Sequence, residues 1–177
     1  MRPLNSRRLR RFVVPALAAC SLSAAAAAPA SAASPCAAGT SARATTLCLV
    51  NAERAAHGVR PLKLDKRLSR AALRHSRDMV AKRYFAHDSR SGAGFSARIA
   101  RTGWMHGRRS WNVGENIAWG SGALATPRAI VKAWMRSTGH RHNIMQPRFR
   151  VIGIGIGHGV PVSNGGAGAT YTTDFGS

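Results

Sequence analysis

Acidic residues are nearly absent from this chain. Six Asp and Glu stand against 27 Lys and Arg in 177 residues, a formal net charge of +21. With so few carboxylates, an acid inside an apolar run is conspicuous. Glu115, in Val113-Gly114-Glu115-Asn116-Ile117-Ala118, is such an acid. Burying it unpaired would be costly, so an imidazole or an arginine is expected beside it. Aromatic residues make up only 6% of the chain. The arginines are scattered, and there is no helix-turn-helix, finger or RNA-stacking motif, which excludes specific nucleic-acid recognition. Three cysteines cannot complete a zinc ligand set of their own. There is no HExxH, no serine-hydrolase motif and no nucleophilic-cysteine signature. The apolar stretch Phe12 to Ala28 is interrupted by Pro15, Ser21 and Ser23 and is shorter than a bilayer-spanning helix requires. No transmembrane segment is therefore expected in the mature chain.

What is present begins with an export signal over residues 1–32. Arg7, Arg8, Arg10 and Arg11 form a basic start, the apolar stretch follows, and Ala30-Ser31-Ala32 is a small-x-small cleavage site. An alternative reading stays open. Leu17-Ala18-Ala19-Cys20 resembles a lipoprotein box, which would leave Cys20 lipid-anchored at the outer face of the membrane. An arm over 33–44 precedes one domain over 45–177, long enough for a single core. Once exported, Cys36 and Cys48 are the remaining cysteines, and an oxidising compartment favours a disulfide between them over two free thiols. The mature chain keeps 22 Lys and Arg and six acids, hence +16. Such a charge attracts anions at long range. Outside a cell these are wall polymers and anionic lipid headgroups, although a solubilising surface is the plainer explanation. A secreted monomer is expected.

Taken in order, Ala42 to His57 reads as a helix closed by Gly58. Asn51 and Arg54 share its apolar stripe with Leu47 and Val50, so they are expected to hydrogen-bond loops across the domain. Asp65 caps a second helix running to about Tyr84, with Leu64, Leu68, Ala71, Ala72, His75 and Met79 on its inner face. His75 there reads as a satisfied core residue, whereas His87 follows the helix end and is free to point into a cleft. Phe95 to Thr102 is a short helix. Thr126 and Pro127 open another, carrying Ile130, Val131 and Trp134. Gly139 reads as its stop through positive φ, which puts His140, Arg141, His142 and Asn143 in a loop. Ile152, Ile154 and Ile156 alternate with Gly153, Gly155 and Gly157, a strand with one apolar and one bare face that admits another backbone. Tyr171, Thr173 and Phe175 form a last strand after a Gly-rich loop. Helices on both faces of this sheet give a three-layer α-β-α sandwich of the α/β class, with a small, mainly antiparallel sheet.

The stretches LCLVNAERAAHGVRPLKLD, DMVAKRYFAHDS, GENIAWG, AWMRSTGHRHNIM and YTTDFG resemble the CAP (SCP) superfamily of cysteine-rich secretory and pathogenesis-related proteins. The resemblance runs from about Thr45 to Gly176 and is closest to bacterial members, whose corresponding helix ends in W-x-x-S-x-x-H-R. It implies an α-β-α sandwich and a cleft tetrad of two His and two Glu able to hold a divalent metal. His87 matches the first His, Glu115 the Glu of the GEN motif, and His140 the second His. Ser137 stands where animal and plant members carry the second Glu, so one candidate general base is missing. Protease, sterol-binding, lipid-binding and signalling roles are associated with the family. Two readings of the cleft remain. In one, His87 and His140 hold Zn2+ weakly, with Glu115 as a nearby or third ligand and candidate catalytic base. In the other, His87, Glu115 and His140 form a hydrogen-bonded structural cluster, with Ser137, Arg141 and Asn143 as cleft support. The first favours a zinc-dependent hydrolase of peptide or wall substrates. The preferred expectation is an envelope-associated binding module for a wall polymer, lipid or sterol, with optional metal.

Overall fold

The alternation of Ile and Gly between 151 and 158 dictates the architecture. In the computed structural model, which describes Cys36, residues 41–163 and residues 167–177, this stretch is strand β3 of a four-stranded sheet. The export signal expected at 1–32, its Cys20 alternative and most of the 33–44 arm lie outside the described residues. The strands are β1 (Lys63–Leu64), β2 (Val113–Ser121), β3 (Val151–His158) and β4 (Gly168–Gly176), in the order β1-β3-β4-β2. β1 runs parallel to β3, and the other pairings are antiparallel. The sheet is thus small, mainly antiparallel and covered on both faces.

Helix α2 (Lys66–Lys82) lies on the bare face of β3. Asp65 starts it by accepting from the Arg67 and Leu68 N–H groups at 2.7 and 2.9 Å. A Cβ on Gly153 would run into the backbone of Leu68 and Ser69, and one on Gly155 into that of Ala72 and Leu73. The two elements therefore meet backbone to backbone, an approach that side-chain-bearing residues would block. The Ser69 Oγ accepts from the Ile154 N–H at 3.2 Å, and the Ser76 Oγ lies 2.8 Å from the Thr172 Oγ1. α2 ends at Arg83, which is left-handed with φ of 51°. The short helix α3 (Phe95–Ala100) joins this layer and buries Ile99 with Trp104 and Leu68.

The opposite face carries α1 (Ala42–Ala56) and α4 (Pro127–Arg136). Ile152, Ile154, Tyr171 and Phe175 of the sheet pack there against Val50, Ile130, Val131 and Trp134. The Thr126 Oγ1 accepts from the Ala129 N–H at 3.3 Å and Pro127 opens α4. The Trp134 Nε1 donates to the Ile117 carbonyl at 3.2 Å, which pins α4 to β2. Cys36 and Cys48 form a disulfide, with Cα atoms 5.6 Å apart.

One sequence expectation fails here. Gly139 does not end α4, and 140–143 is not a loop. α4 stops at Arg136 because Ser137 is extended, at φ −94° and ψ 123°. Helix α5 (Thr138–Met145) then starts at once. Gly139 is its second residue, absent from the positive-φ glycines, and a Cβ there would meet nothing within 4 Å. The break is made by the backbone of Ser137: its N–H returns to the Trp134 carbonyl at 3.2 Å and its carbonyl accepts from the Arg141 N–H at 2.8 Å. One residue thus closes the first helix and opens the second.

Candidate functional site

β2 is an edge strand, and three elements converge on it. Residues directly opposite on paired strands share a face, so Glu115, Asp174 and Gly153 all look toward the α2 layer. Gly114 and Asn116 look the other way, toward α5. A Cβ on Gly114 would press on the Asn143 side chain at 3.1 Å.

Glu115 is 4% exposed and fully partnered. Its Oε1 lies 2.8 Å from the His87 Nδ1, and its Oε2 accepts from the Arg98 Nη2 at 2.5 Å. The sequence asked for an imidazole or an arginine, and the site supplies both. Arg98, 8% exposed, also donates through its Nη1 to the His87 and Ala93 carbonyls at 2.7 and 2.9 Å. One guanidinium thus compensates the buried acid and shapes the 87–93 loop that carries the imidazole. The His87 side chain is 48% exposed, so its far edge faces solvent while its Nδ1 is fixed by the carboxylate.

His140 approaches from α5. Two amides hold that helix to β2. The Asn116 Nδ2 donates to the His140 carbonyl at 3.0 Å, and the Asn143 Nδ2 donates to the Glu115 carbonyl at 3.1 Å and the Asn116 Oδ1 at 2.9 Å. Burial, and secondarily the proximity of His87, lowers the His140 pKa, so its imidazole is neutral at neutral pH. His87, Glu115, Ser137, His140, His142 and Asn143 line one cleft of about 570 Å³. The three residues named as the heart of the site are therefore brought together.

Other expected supporting residues lie elsewhere. Arg141 leaves the cleft: it is exposed, and its Nη2 sits 3.3 Å from the His57 Nε2. Residues 137–140, 142 and 143 line the cleft, whereas the Arg141 side chain turns toward α1. Asn51 exchanges two hydrogen bonds with the backbone of Leu62, at 2.8 and 3.0 Å. Arg54, wholly buried, donates to the Arg60 carbonyl at 2.7 Å and to the Ile144 and Gln146 carbonyls at 2.5 and 3.1 Å. It thereby satisfies acceptors at the end of α5, where the helix's own donors run out.

Two members of the site carry no sequence signal. Arg98 is one basic residue among many. Asp174 shares strand parity with Thr170 and Thr172, which reads as a solvent face in a half-exposed strand, but α2 covers that face. Asp174 is 1% exposed. Burial, and next the charge of Glu115, pushes its carboxyl well above the usual carboxylate range. His75 lies in the same layer, and its Nε2 is 3.0 Å from the Ala86 carbonyl. Its Nδ1, the Arg98 Nε and the Asp174 Oδ1 have no partner among the described residues.

The donor set sets the terms for a metal ion. Both Glu115 oxygens are hydrogen-bonded, and through Oε1 the carboxylate orients His87. Among the described residues, no group of three or more His, Cys, Asp or Glu is placed to hold an ion. Two imidazoles, His87 through Nε2 and His140, are what the protein offers. An ion held by these two alone would share most of its coordination with solvent.

Comparison with known proteins extends this picture. An uncharacterised Bacillus subtilis protein, YkwD, is 44% identical over 108 residues, covering 60% of this chain and 39% of that protein. A second from the same organism, the uncharacterised membrane protein YlbC, is 29% identical over 117 residues, covering 66% of this chain and 32% of its own. The chain thus spans about two fifths or less of each relative's length. An extracellular SCP-domain protein of Bacillus anthracis superposes with a TM-score of 0.58 at 29% identity, over 73% of this chain and 38% of that one. An outer surface protein of Borrelia burgdorferi shares the fold, with a TM-score of 0.59 at 18% identity over 77% of this chain and 92% of its own. Among the described residues no helix is long and apolar enough to cross a membrane. The sequence profile of the cysteine-rich secretory protein family, CAP, matches residues 47–172, and the chain belongs to that family.

Proposed function

We propose that this CAP domain is an exported binding module of the cell envelope, and that its cleft holds a sugar unit of an anionic wall polymer. The observation that carries this reading is the His87–Glu115–Arg98 chain of contacts, which fixes one imidazole at the mouth of an open cleft and leaves no free carboxylate there. Three imidazoles offer flat carbon faces and hydrogen-bonding nitrogens. Ser137, Thr138 and Asn143 add short polar groups. Flat rings bordered by donors and acceptors suit a hydroxyl-bearing ring. The mature charge of +16 favours a polymer that is itself anionic. Extracellular location is supported by the export signal read from the sequence and by the extracellular relative.

A divalent ion such as zinc is optional in this reading. His87 and His140 would hold it, and when bound it would supply positive charge to an oxygen of the ligand. The hydrolase alternative is weaker because it needs a base. Glu115 is tied to His87 and Arg98, and Ser137 occupies the place of the family's second Glu.

Retention of residues 33–177 on purified cell wall, together with calorimetric titration of soluble wall fragments, tests the proposal. Wild type should bind, less tightly as salt rises. His87→Ala and His140→Ala should each weaken fragment binding about tenfold, or ~1.4 kcal/mol. Binding that survives both substitutions would remove the cleft from the function. A parallel zinc titration should show weak uptake that is lost in the double His variant. No uptake by wild type would leave the imidazoles as hydrogen-bonding groups alone.

A further inference from the structure

A second pocket, of about 230 Å³, opens between α2 and α3 on the outer side of the polar layer. Its α2 wall is a single helical face: Ala71, Arg74, His75, Asp78 and Lys82 recur at steps of three and four residues. Its other wall is Arg98 of α3 with Arg101 one turn on, and Ser89 and Ser91 close the rim. The lining holds one acid and four permanent cations.

The acid is not available to a ligand. The Asp78 Oδ1 takes the Lys82 ammonium at 2.7 Å, and its Oδ2 accepts from the Tyr84 hydroxyl at 2.5 Å. Arg98 is matched by Glu115. That leaves Arg74 and Arg101, whose guanidinium groups have no partner among the described residues. At the floor the Arg98 Nε is a buried donor without a partner among the described residues. His75, 1% exposed, directs its Nε2 at the Ala86 carbonyl, so its unpartnered Nδ1 is an acceptor in the neutral ring. With four cations around one engaged acid, the pocket repels cations and favours an oxyanion. Two guanidinium forks match the oxygen spacing of a tetrahedral anion, and serine hydroxyls add donors. The volume suits a small group rather than an extended ligand.

We infer that Arg74 and Arg101 form a binding site for a phosphate group in this pocket, separate from the cleft at the β2 edge. It does not depend on the sugar-binding reading. The phosphate is either a free anion or a phosphodiester of an envelope polymer, and two probes distinguish these sources: inorganic phosphate and poly(glycerol phosphate).

Residues 33–177 are titrated with each probe at low ionic strength, by calorimetry and by amide chemical-shift mapping. Arg74→Gln and Arg101→Gln are exposed substitutions that leave the fold intact. Each should lower affinity about tenfold, as expected for loss of one charge-assisted pair. Arg77→Gln is the control: it removes the same charge from the same helix but lies outside the pocket. It should change affinity less than twofold, and shifts should cluster at 74–101. Saturable binding of inorganic phosphate with this ranking assigns the free anion. The same ranking with only the polymer assigns the phosphodiester. Absence of saturable binding to either probe, or an equal loss in Arg77→Gln, overturns the site.

Discussion

Glu115 shows how one buried charge is made tolerable and then used. With Arg98 on one oxygen and His87 on the other, the carboxylate keeps its charge away from water and passes orientation on to an imidazole. Replacing Arg98 by Met leaves that charge underpartnered and frees the 87–93 loop. A loss of about 3–5 kcal/mol is expected from removing one member of a buried pair, read by denaturant unfolding; a loss below about 1 kcal/mol would show the arginine to be dispensable. Asp174 makes the opposite prediction. Its folded pKa lies above the unfolded value, so the folded state holds a proton that the unfolded chain has released. Its contribution to stability therefore falls as pH rises above the ordinary carboxylate value of 3.8, and a deficit persists at neutral pH. Asp174→Asn should raise the melting temperature at neutral pH and give little or no gain near the ordinary carboxylate value. Destabilisation at neutral pH would mean the carboxylate is needed in charged form.

At the scale of elements, glycine means different things at different places. Gly155 lets β3 touch the α2 backbone, and Gly155→Ala forces the two apart. Overpacking of this kind costs about 1–3 kcal/mol or more. Gly139 has open space and a helical backbone. Gly139→Ala should stabilise the domain by roughly 0.4–1 kcal/mol by restricting the unfolded chain. Thermal melts of the two variants should move in opposite directions. Destabilisation by Gly139→Ala would restore the left-handed helix stop expected from the sequence. The Gly153/155/157 pattern was legible because a strand's period of two names the bare face. The role of Gly139 was not, because a glycine after an apolar helical face looks the same whether it ends one helix or begins the next. The difference lies in the ψ of Ser137, which the packing of α5 on β2 decides.

For the whole molecule, two features govern stability. The Cys36–Cys48 bond closes a loop with a sequence separation of 12, and reduction should cost about 2–3 kcal/mol, measured as a lower denaturation midpoint. Free, alkylatable thiols in native protein would contradict the pairing. His75 and His140 are both held below their ordinary pKa, first by burial. The unfolded chain thus binds protons that the folded state refuses. Their contribution is intact above the ordinary imidazole value of 6.5 and is lost as pH falls through the lowered folded values. Stability should decline on acidification from about pH 7 toward about pH 5, and less in His75→Gln, whose amide does not titrate and can still donate to the Ala86 carbonyl. An equal decline in that variant would remove His75 as a cause.

The linear sequence determined the layers, the sheet and the membership of His87, Glu115 and His140 in one cleft. Helical and strand periods are local, and the family motifs tie those residues to a shared geometry. It also determined that Glu115 would need a partner, because an acid in an apolar run has no other way to be buried. Only the tertiary structure decided which partner. Arg98 and Asp174 reach Glu115 from a different helix and a different strand, and a charge gives no sign in sequence of which distant charge it will meet. Tertiary packing likewise set Arg141 against His57 and away from the cleft, and it set Arg74 and Arg101 around one pocket. Those positions depend on how two helices lie across a sheet, a relation that no local pattern carries.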